Sequence, residues 1–252
     1  MGQMSLWGVN LAPQMVLYLI LTISNPKIDT VWDCLWLISP LNMKSGARLR
    51  GADRVGPHDR VILEIIFGSL LGDGRLERRK AGSGSRLSLS QESSHIEYIL
   101  YLHKIFAGQG YCNPEVPQIL TRLGKKGKIR KIARFHTWTY TSWNWIHDLW
   151  YTDNIKHVPR NIGEFLTPIA LATWIMDGGR VSSGLKLATN GFTFEDCQLL
   201  THVLYVNFKL KATVNPAGVA NQYSIHIWKE SMEDLRRIVS PFIIKEMTYK
   251  IN

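Results

Sequence analysis

The chain has 252 residues, 45% of them apolar, and its 30 Lys and Arg against 20 Asp and Glu give a formal charge of +10. That length and apolar content make a globular protein with one large core or two small ones the default, and the positive field favours polyanionic partners. Three widely spaced cysteines, Cys34, Cys112 and Cys197, argue against a disulfide framework or a structural zinc site.

The first 55 residues differ from the rest. The apolar run at 11–23 contains Pro13 and Gln14, and at about thirteen residues it falls short of the roughly 18–20 that span a bilayer. No Lys or Arg precedes it, as one would in a cleaved signal, so no membrane partner is expected. KSGARLRGADRVGPH (44–58) is basic, Gly-rich and linker-like, and sets an N-terminal extension, 1–55, apart from a packed domain.

From residue 59 a pattern runs through the chain twice. VILEIIFGSLLGDG (61–74) reads as an apolar helix stopped by glycine, and RLSLSQ (86–91) alternates as a strand does. SSHIEYILYLHKIF (93–106) is spaced as a helix with Ser94 as its cap, and HTWTYTSW (136–143) alternates again. The second pass begins with the helix FLTPIALATWIMDGG (165–179) and the strand GLKLATN (184–190). It continues with FTFEDCQLLTHVLYVNF (192–208), a helix capped by Thr193 with Asp196 near its start, and the strands ATVN (212–215) and YSIHIW (223–228). Two α+β repeats, 56–160 and 161–252, account for this order.

Each repeat opens with a helix that ends in an acidic residue and glycine: Asp73 with Gly74, and Asp177 with Gly178 and Gly179. One copy is what any glycine-stopped buried helix looks like. Two copies, each followed by strands and a second helix, resemble the LAGLIDADG family, in its two-motif monomeric form. The resemblance extends to LTPIALATWIMDGG, NGFTFED (190–196) and SPFIIKEMTYKI (240–251), which are similar to segments of a monomeric mitochondrial large-rRNA intron endonuclease of that family.

What the resemblance implies is specific. The fold would be two pseudo-symmetric αββαββα repeats with saddle-shaped antiparallel sheets and the two motif helices side by side at the centre, where Gly68, Ser69 and Ala172 suit a close approach. Each motif helix would deliver a carboxylate to a scissile phosphate, with Mg²⁺ (or Mn²⁺) held by Asp73 and Asp177 and, beside them, Gly72, since hard cations take oxygen ligands. Lys156 and Lys250 match basic residues that flank the two centres, where they would stabilise developing negative charge. Gln91 and Asn190 end equivalent strands and would hold a water or a backbone group near the metal.

The second motif departs from the pattern. Aligned without gaps, Asp73 falls against Gly178, and Asp177 stands one residue earlier. A one-residue step on a helix rotates a side chain by about 100°, so either the helix end unwinds to present Asp177 or the second centre is impaired.

DNA contacts are expected from alternate strand residues: Arg86, Ser88 and Ser90 in the first half, Lys186 and Thr189 in the second. Phosphate contacts are expected from RLGKKGKIRKIAR (122–134), with seven basic residues including Lys125, Lys126, Lys128, Arg130 and Lys131, and from Arg75, Arg78, Arg79 and Lys80. The partner would be a long asymmetric double-stranded DNA site, bound by a monomer. GQMSLWG (2–8) resembles a segment of mitochondrial cytochrome b, and the resemblance implies a reading frame in a cytochrome b intron and a protein of the mitochondrion.

Three functions follow in order of support. The first is a site-specific intron-homing DNA endonuclease making a metal-assisted double-strand break in the intronless allele. The alternative, favoured by Gly178, is an RNA maturase that binds its own intron RNA. The third is a DNA-binding protein with a relict centre. The histidines show no ligand spacing on a common element, which disfavours a His-metal nuclease.

Overall fold

The computed structural model describes residue 54 and residues 56–78, 84–123 and 129–252; nearly all of the expected N-terminal extension lies outside them. The first half runs α1 Arg60–Leu71, β1 Arg75–Arg78, β2 Ser85–Glu92, α2 Ile96–Gly108, β3 Ile119–Leu123, β4 Ile129–His136 and α3 Asn144–Trp150. A short hairpin, β5 Tyr151–Thr152 with β6 Ile155–Lys156, leads to the second half. There the order is α4 Pro168–Gly178, β7 Gly179–Val181, β8 Leu185–Ala188, α5 Phe194–Phe208, β9 Ala212–Pro216, β10 Tyr223–Ile227 and α6 Met232–Val239. Both halves are therefore αββαββα.

The two sheets have the same antiparallel topology, β1-β2-β4-β3 and β7-β8-β10-β9. Strand alternation decides which face is covered. Leu87 and Leu89 of β2 turn inward with Tyr98, Ile99, Leu102 and Phe106 of α2, and Leu185, Leu187, Ile225 and Ile227 do the same with Cys197, Leu200 and Leu204 of α5. The opposite face of each sheet is left open.

The motif helices α1 and α4 lie between the halves, and their sequences suit that place. Each is apolar on nearly every side, the one charge within the buried part of α1, Glu64, being paired with Arg60 at 2.8 Å, and residues 62–71 of α1 and 170–177 of α4 are buried. Their starts are fixed by side-chain caps: Asp59 Oδ1 accepts from the Ile62 amide at 3.2 Å, and Thr167 Oγ1 from the Ala170 amide at 3.2 Å, with Pro168 in the first turn. Small residues let the backbones meet. A Cβ at Gly68 would fall on the Ala170 carbonyl oxygen and within 2.7 Å of Thr173 Cβ; one at Gly72 would lie 2.5 Å from Asp177 Cβ. The stacked rings of Phe67 and Phe165, 4.1 Å between centres, close one side of the contact.

Several local readings change. The strand expected at 136–143 ends at His136, and Thr141–Trp143 is a 3-10 turn. The aromatic residues there serve a cluster: Tyr140 and Trp143 pack with Tyr111 around the His58 ring. Ser94 caps nothing, because a 3-10 turn Ser93–His95 precedes α2 and its N-cap, His95, makes no side-chain cap bond. The basic stretch read only as a phosphate-contacting segment has its ends in β3 and β4. Thr193, by contrast, forms a full capping box with Asp196 at the start of α5, as expected.

His58 makes stability pH-dependent. Its Nε2 is 2.6 Å from Ser142 Oγ and its Nδ1 3.3 Å from Tyr111 Oη, and burial pulls its pKa from 6.5 to about 4. The folded state holds the neutral ring, so the stability linked to this group is complete above pH 6.5 and is lost as the pH falls toward 4, by roughly 1–3 kcal/mol. Denaturant midpoints measured at pH 7.5 and pH 4.5 are expected to diverge less in His58→Gln than in the natural chain. Gly68→Val is expected to destabilise by roughly 3 kcal/mol through overpacking. Gly108→Ala, where an added Cβ meets nothing within 4 Å, is expected to be neutral or slightly stabilising in the same denaturation measurement.

Candidate functional site

The helix contact fixes the register of the two motifs in space. Gly68 faces Thr173 and Gly72 faces Asp177, and each pair is 105 residues apart, the offset of the gapless alignment. These positions lie on the pseudo-twofold axis, so each meets its own counterpart. The helix α4 stays helical through Gly178 and does not unwind. Asp177 consequently points into the interface, and Gly178 occupies the place that Asp73 has in the first half. Asp73 itself is exposed, just beyond the α1 cap at Gly72.

Asp177 is held at one oxygen. Gln91 Nε2 donates to its Oδ1 at 3.0 Å, and Oδ2 is buried without a hydrogen-bond partner. Burial first and the neighbouring Asp73 charge second push its pKa up to about 7, against the opposing effect of the Tyr98 hydroxyl, Lys250 and the Asp73 amide. Asp73, Ser90, Gln91 and Asp177 line one small cleft.

The two lysines hold the ends of the motif helices. Lys156 Nζ donates to the Gly72 carbonyl at 3.3 Å and to the Gly74 carbonyl at 2.9 Å. Lys250 Nζ donates to the Met176 and Asp177 carbonyls, the latter at 3.1 Å. Gly72 and Asp177 are equivalent positions, so each lysine sits where a helix C-terminus concentrates partial negative charge. Burial lowers the pKa of both, that of Lys156 to about 8, although the carboxylates of Asp177 and Asp73 pull in the other direction. The two carboxylates that line one cleft are the kind of oxygen donor that Mg²⁺ or Mn²⁺ takes, and the orphaned Oδ2 of Asp177 is an atom such an ion would satisfy. Among the described residues no cluster of three or more His, Cys, Asp or Glu is found, here or elsewhere.

Two expected residues do not belong where they were placed. Ser88 pairs with Arg75 and Lys186 with Arg180, so counting along the strands the counterpart of Gln91 is Thr189. Asn190 is exposed and donates to Gln222 Oε1 at 3.1 Å, away from the cleft. Thr189 is 1% exposed. Its hydroxyl donates to the Tyr223 carbonyl and accepts from Cys197 Sγ, and it has no surface to offer DNA. The alternation that turns Lys186 outward turns Leu187 and Thr189 inward.

Arg86, Ser88 and Ser90 do face the open side of the first sheet, and Lys186 that of the second. Arg86 is already bonded to Glu77 at 2.8 Å and Arg78 to Asp148; Arg75, Arg130 and Lys131 are exposed. Arg79, Lys80, Lys125, Lys126 and Lys128 lie outside the described residues. Register adds residues that the sequence did not mark: the rows Arg75–Ser88–His136 and Arg180–Lys186–His226 cross the two open faces in matching positions. The visible signal was an arginine two residues after Asp73 and another two after Gly178.

Residues 63–235 match the LAGLIDADG DNA endonuclease family. The cytochrome b mRNA maturase bI2 of Saccharomyces cerevisiae is 47% identical over 207 residues, 79% of this chain and 49% of that one, so the chain spans about half the length of that relative. The cytochrome b mRNA maturase bI2 of Debaryomyces hansenii is 45% identical over 196 residues, 77% of this chain and 75% of its own length. The homing endonuclease I-WcaI, solved bound to its DNA recognition sequence, has the same fold with a TM-score of 0.70 at 23% identity, covering 77% of this chain and 87% of that one. With two αββαββα halves joined through their motif helices and a family match spanning most of its length, the chain belongs to the LAGLIDADG DNA endonuclease family.

Proposed function

We propose that the chain is an intron-encoded maturase that assists splicing of its own intron in a mitochondrial cytochrome b transcript, and that it keeps a DNA-binding fold with one cleavage centre, built on Asp73. The observation that carries this reading is Gly178: the second motif helix has no carboxylate where the first has Asp73, and Asp177 is turned into the interface. Breaking both strands calls for a group at each scissile phosphate, whereas binding and ordering an RNA needs neither. The two maturases at 45% and 47% identity support the same reading.

In the centre that remains, Asp73, Asp177 Oδ2 and the Gly72 carbonyl would hold Mg²⁺ or Mn²⁺. Bound there, the ion supplies charge neutralisation at a phosphate oxygen and acidifies a water. Gln91 orients the Asp177 carboxylate through its 3.0 Å hydrogen bond. Lys156, held against the Gly72 and Gly74 carbonyls, places a positive charge beside the first centre, where it favours the charge that develops on a phosphate under attack.

A second reading, a homing endonuclease that makes a double-strand break at an intronless cytochrome b exon junction, is favoured by the unpartnered Asp177 Oδ2, which sits in the cleft shared with Asp73. Supercoiled DNA carrying the fused junction, incubated with Mg²⁺, separates the two. The maturase reading expects nicked circles at most, reduced roughly 100-fold or more by Asp73→Asn, and splicing of the precursor RNA that survives the same substitution. Linear product from the natural chain would overturn it in favour of the endonuclease. Gly178→Asp is expected to create linear product, since a Cβ at 178 meets Ala188 Cβ at an ordinary 3.5 Å and a carboxylate there has room.

A further inference from the structure

At the outer end of the second half, α5 stops at Phe208 and the chain turns through Lys209 with φ 60° and ψ 20°. The next residue, Leu210, is buried, so Lys209 and Lys211 on either side of it both stand outside. Lys209 Nζ lies 5.5 Å from the ring centre of Tyr205, and Lys211 Nζ 5.9 Å from that of Trp228. Both rings face solvent, with Tyr205 53% and Trp228 39% exposed. The two pairs form one patch: the Trp228 amide donates to the Lys211 carbonyl at 2.9 Å, and two residues of chain keep the two lysine backbones within about 7 Å. Lys229 adds a third exposed cation; Glu230, 3.4 Å from Lys211 Nζ, is the acidic neighbour.

Two features mark this patch as more than ordinary surface. The first is the residue at the turn. In the first half the chain leaves α2 for the buried Tyr111 through Gly110, with φ 77°, where glycine is the residue that fits. The second half keeps a lysine in the same left-handed region, which side chains with a Cβ rarely adopt. Strain retained at one residue points to a use for its side chain. The second feature is the alternation of exposed aromatic faces with lysines. Apolar partners would match the rings and leave the cations facing nothing; an unpaired nucleic acid strand matches both, offering a π-face for each ring and a phosphate for each cation. A duplex hides its base faces inside the stack.

We propose that this patch binds an unpaired strand of RNA, with bases on Tyr205 and Trp228 and phosphates against Lys209, Lys211 and Lys229. The assignment to a strand of nucleic acid rests on the patch; the choice of RNA over DNA rests on the maturase reading above. Because α5 covers the sheet face away from Lys186 and His226, Tyr205 lies behind the open face, and the chain can hold an RNA strand there independently of DNA on its sheets.

The test uses the full chain and fluorescence anisotropy with three probes: a labelled single-stranded RNA without internal pairing, the same sequence as single-stranded DNA, and a duplex of the exon junction. The proposal expects Tyr205→Ala and Trp228→Ala each to weaken RNA binding by roughly tenfold while duplex affinity stays the same. Lys209→Gly serves as the control for folding, since glycine suits the turn: it should raise the melting temperature and still weaken RNA binding, lowering the salt dependence by about 0.7 in log–log slope. Unchanged RNA affinity in a folded Tyr205→Ala/Trp228→Ala chain overturns the proposal, as does an equal loss on the duplex or a single-stranded DNA that binds as tightly as the RNA. A splicing assay reads the maturase function separately: a natural chain that binds RNA through the patch and leaves splicing of the precursor unaided removes the maturase reading and not the site.

Discussion

The close approach of α1 and α4, possible because Gly68 and Gly72 put no Cβ between the backbones, determines where every other functional atom lies. Two helices so close present equivalent positions to each other along the axis; in α4 a residue one step removed is rotated by about 100° toward one outer face, and in the first half Asp73 lies just beyond the end of α1. Position 72 and its counterpart 177 are on the axis; position 73 and its counterpart 178 are off it. The chemistry of the site is thus set by which of two adjacent residues carries the carboxylate. In the first half it is the outer one, Asp73, and in the second the inner one, Asp177.

The electrostatics follow from that placement. A carboxylate on the axis is shielded from water by both halves, and the charge on Asp73 nearby further disfavours its ionisation. The lysines make no ion pair with it: each donates to main-chain carbonyls at a helix end, and the Lys250 charge only partly offsets the shift. What they do instead is terminate the helices: Lys156 on the first and Lys250 on the second hold two separate C-terminal segments to the motif helices, one from the hairpin between the halves and one from the last turn of the chain. These distant tethers add to local bonds at the motif ends, such as that from the Gly74 amide to the Ser69 carbonyl at 2.8 Å.

Much of this architecture was legible in the residues. Period-3.6 and period-2 patterns located the main helices and four of the ten strands among the described residues, β2, β8, β9 and β10, and the repeat of an apolar helix stopped by acid and glycine gave the two halves and their central contact. The gapless register predicted Gly178 opposite Asp73, and the geometry agrees. Where the reading failed, the cause was physical. Trp138 and Tyr140 alternate like strand residues, but Tyr140 packs with Trp143 around His58 from far away in sequence, and local pattern carries no information about such a partner. Asn190 looked equivalent to Gln91 because both end a strand, whereas equivalence in a sheet is set by cross-strand pairing, and pairing selects Thr189. The lysine–aromatic pairs at 205–211 and 228 were invisible for the same reason: the second ring reaches its lysine through a strand pair.

The unlike residues on the axis also bear on how the two halves recognise each other. Were the second half to pair with a copy of itself, two Asp177 carboxylates would meet in the buried contact, and at least one would have to carry a proton. Were the first half to do so, Gly72 would face Gly72 and Gly68 would face Gly68, leaving a void where the Thr173 and Asp177 side chains now fill the groove. Each half is shaped to the other and ill-suited to itself. The unlike residues at these axial positions thus commit the two halves to one another and close the route to a symmetric pairing of either.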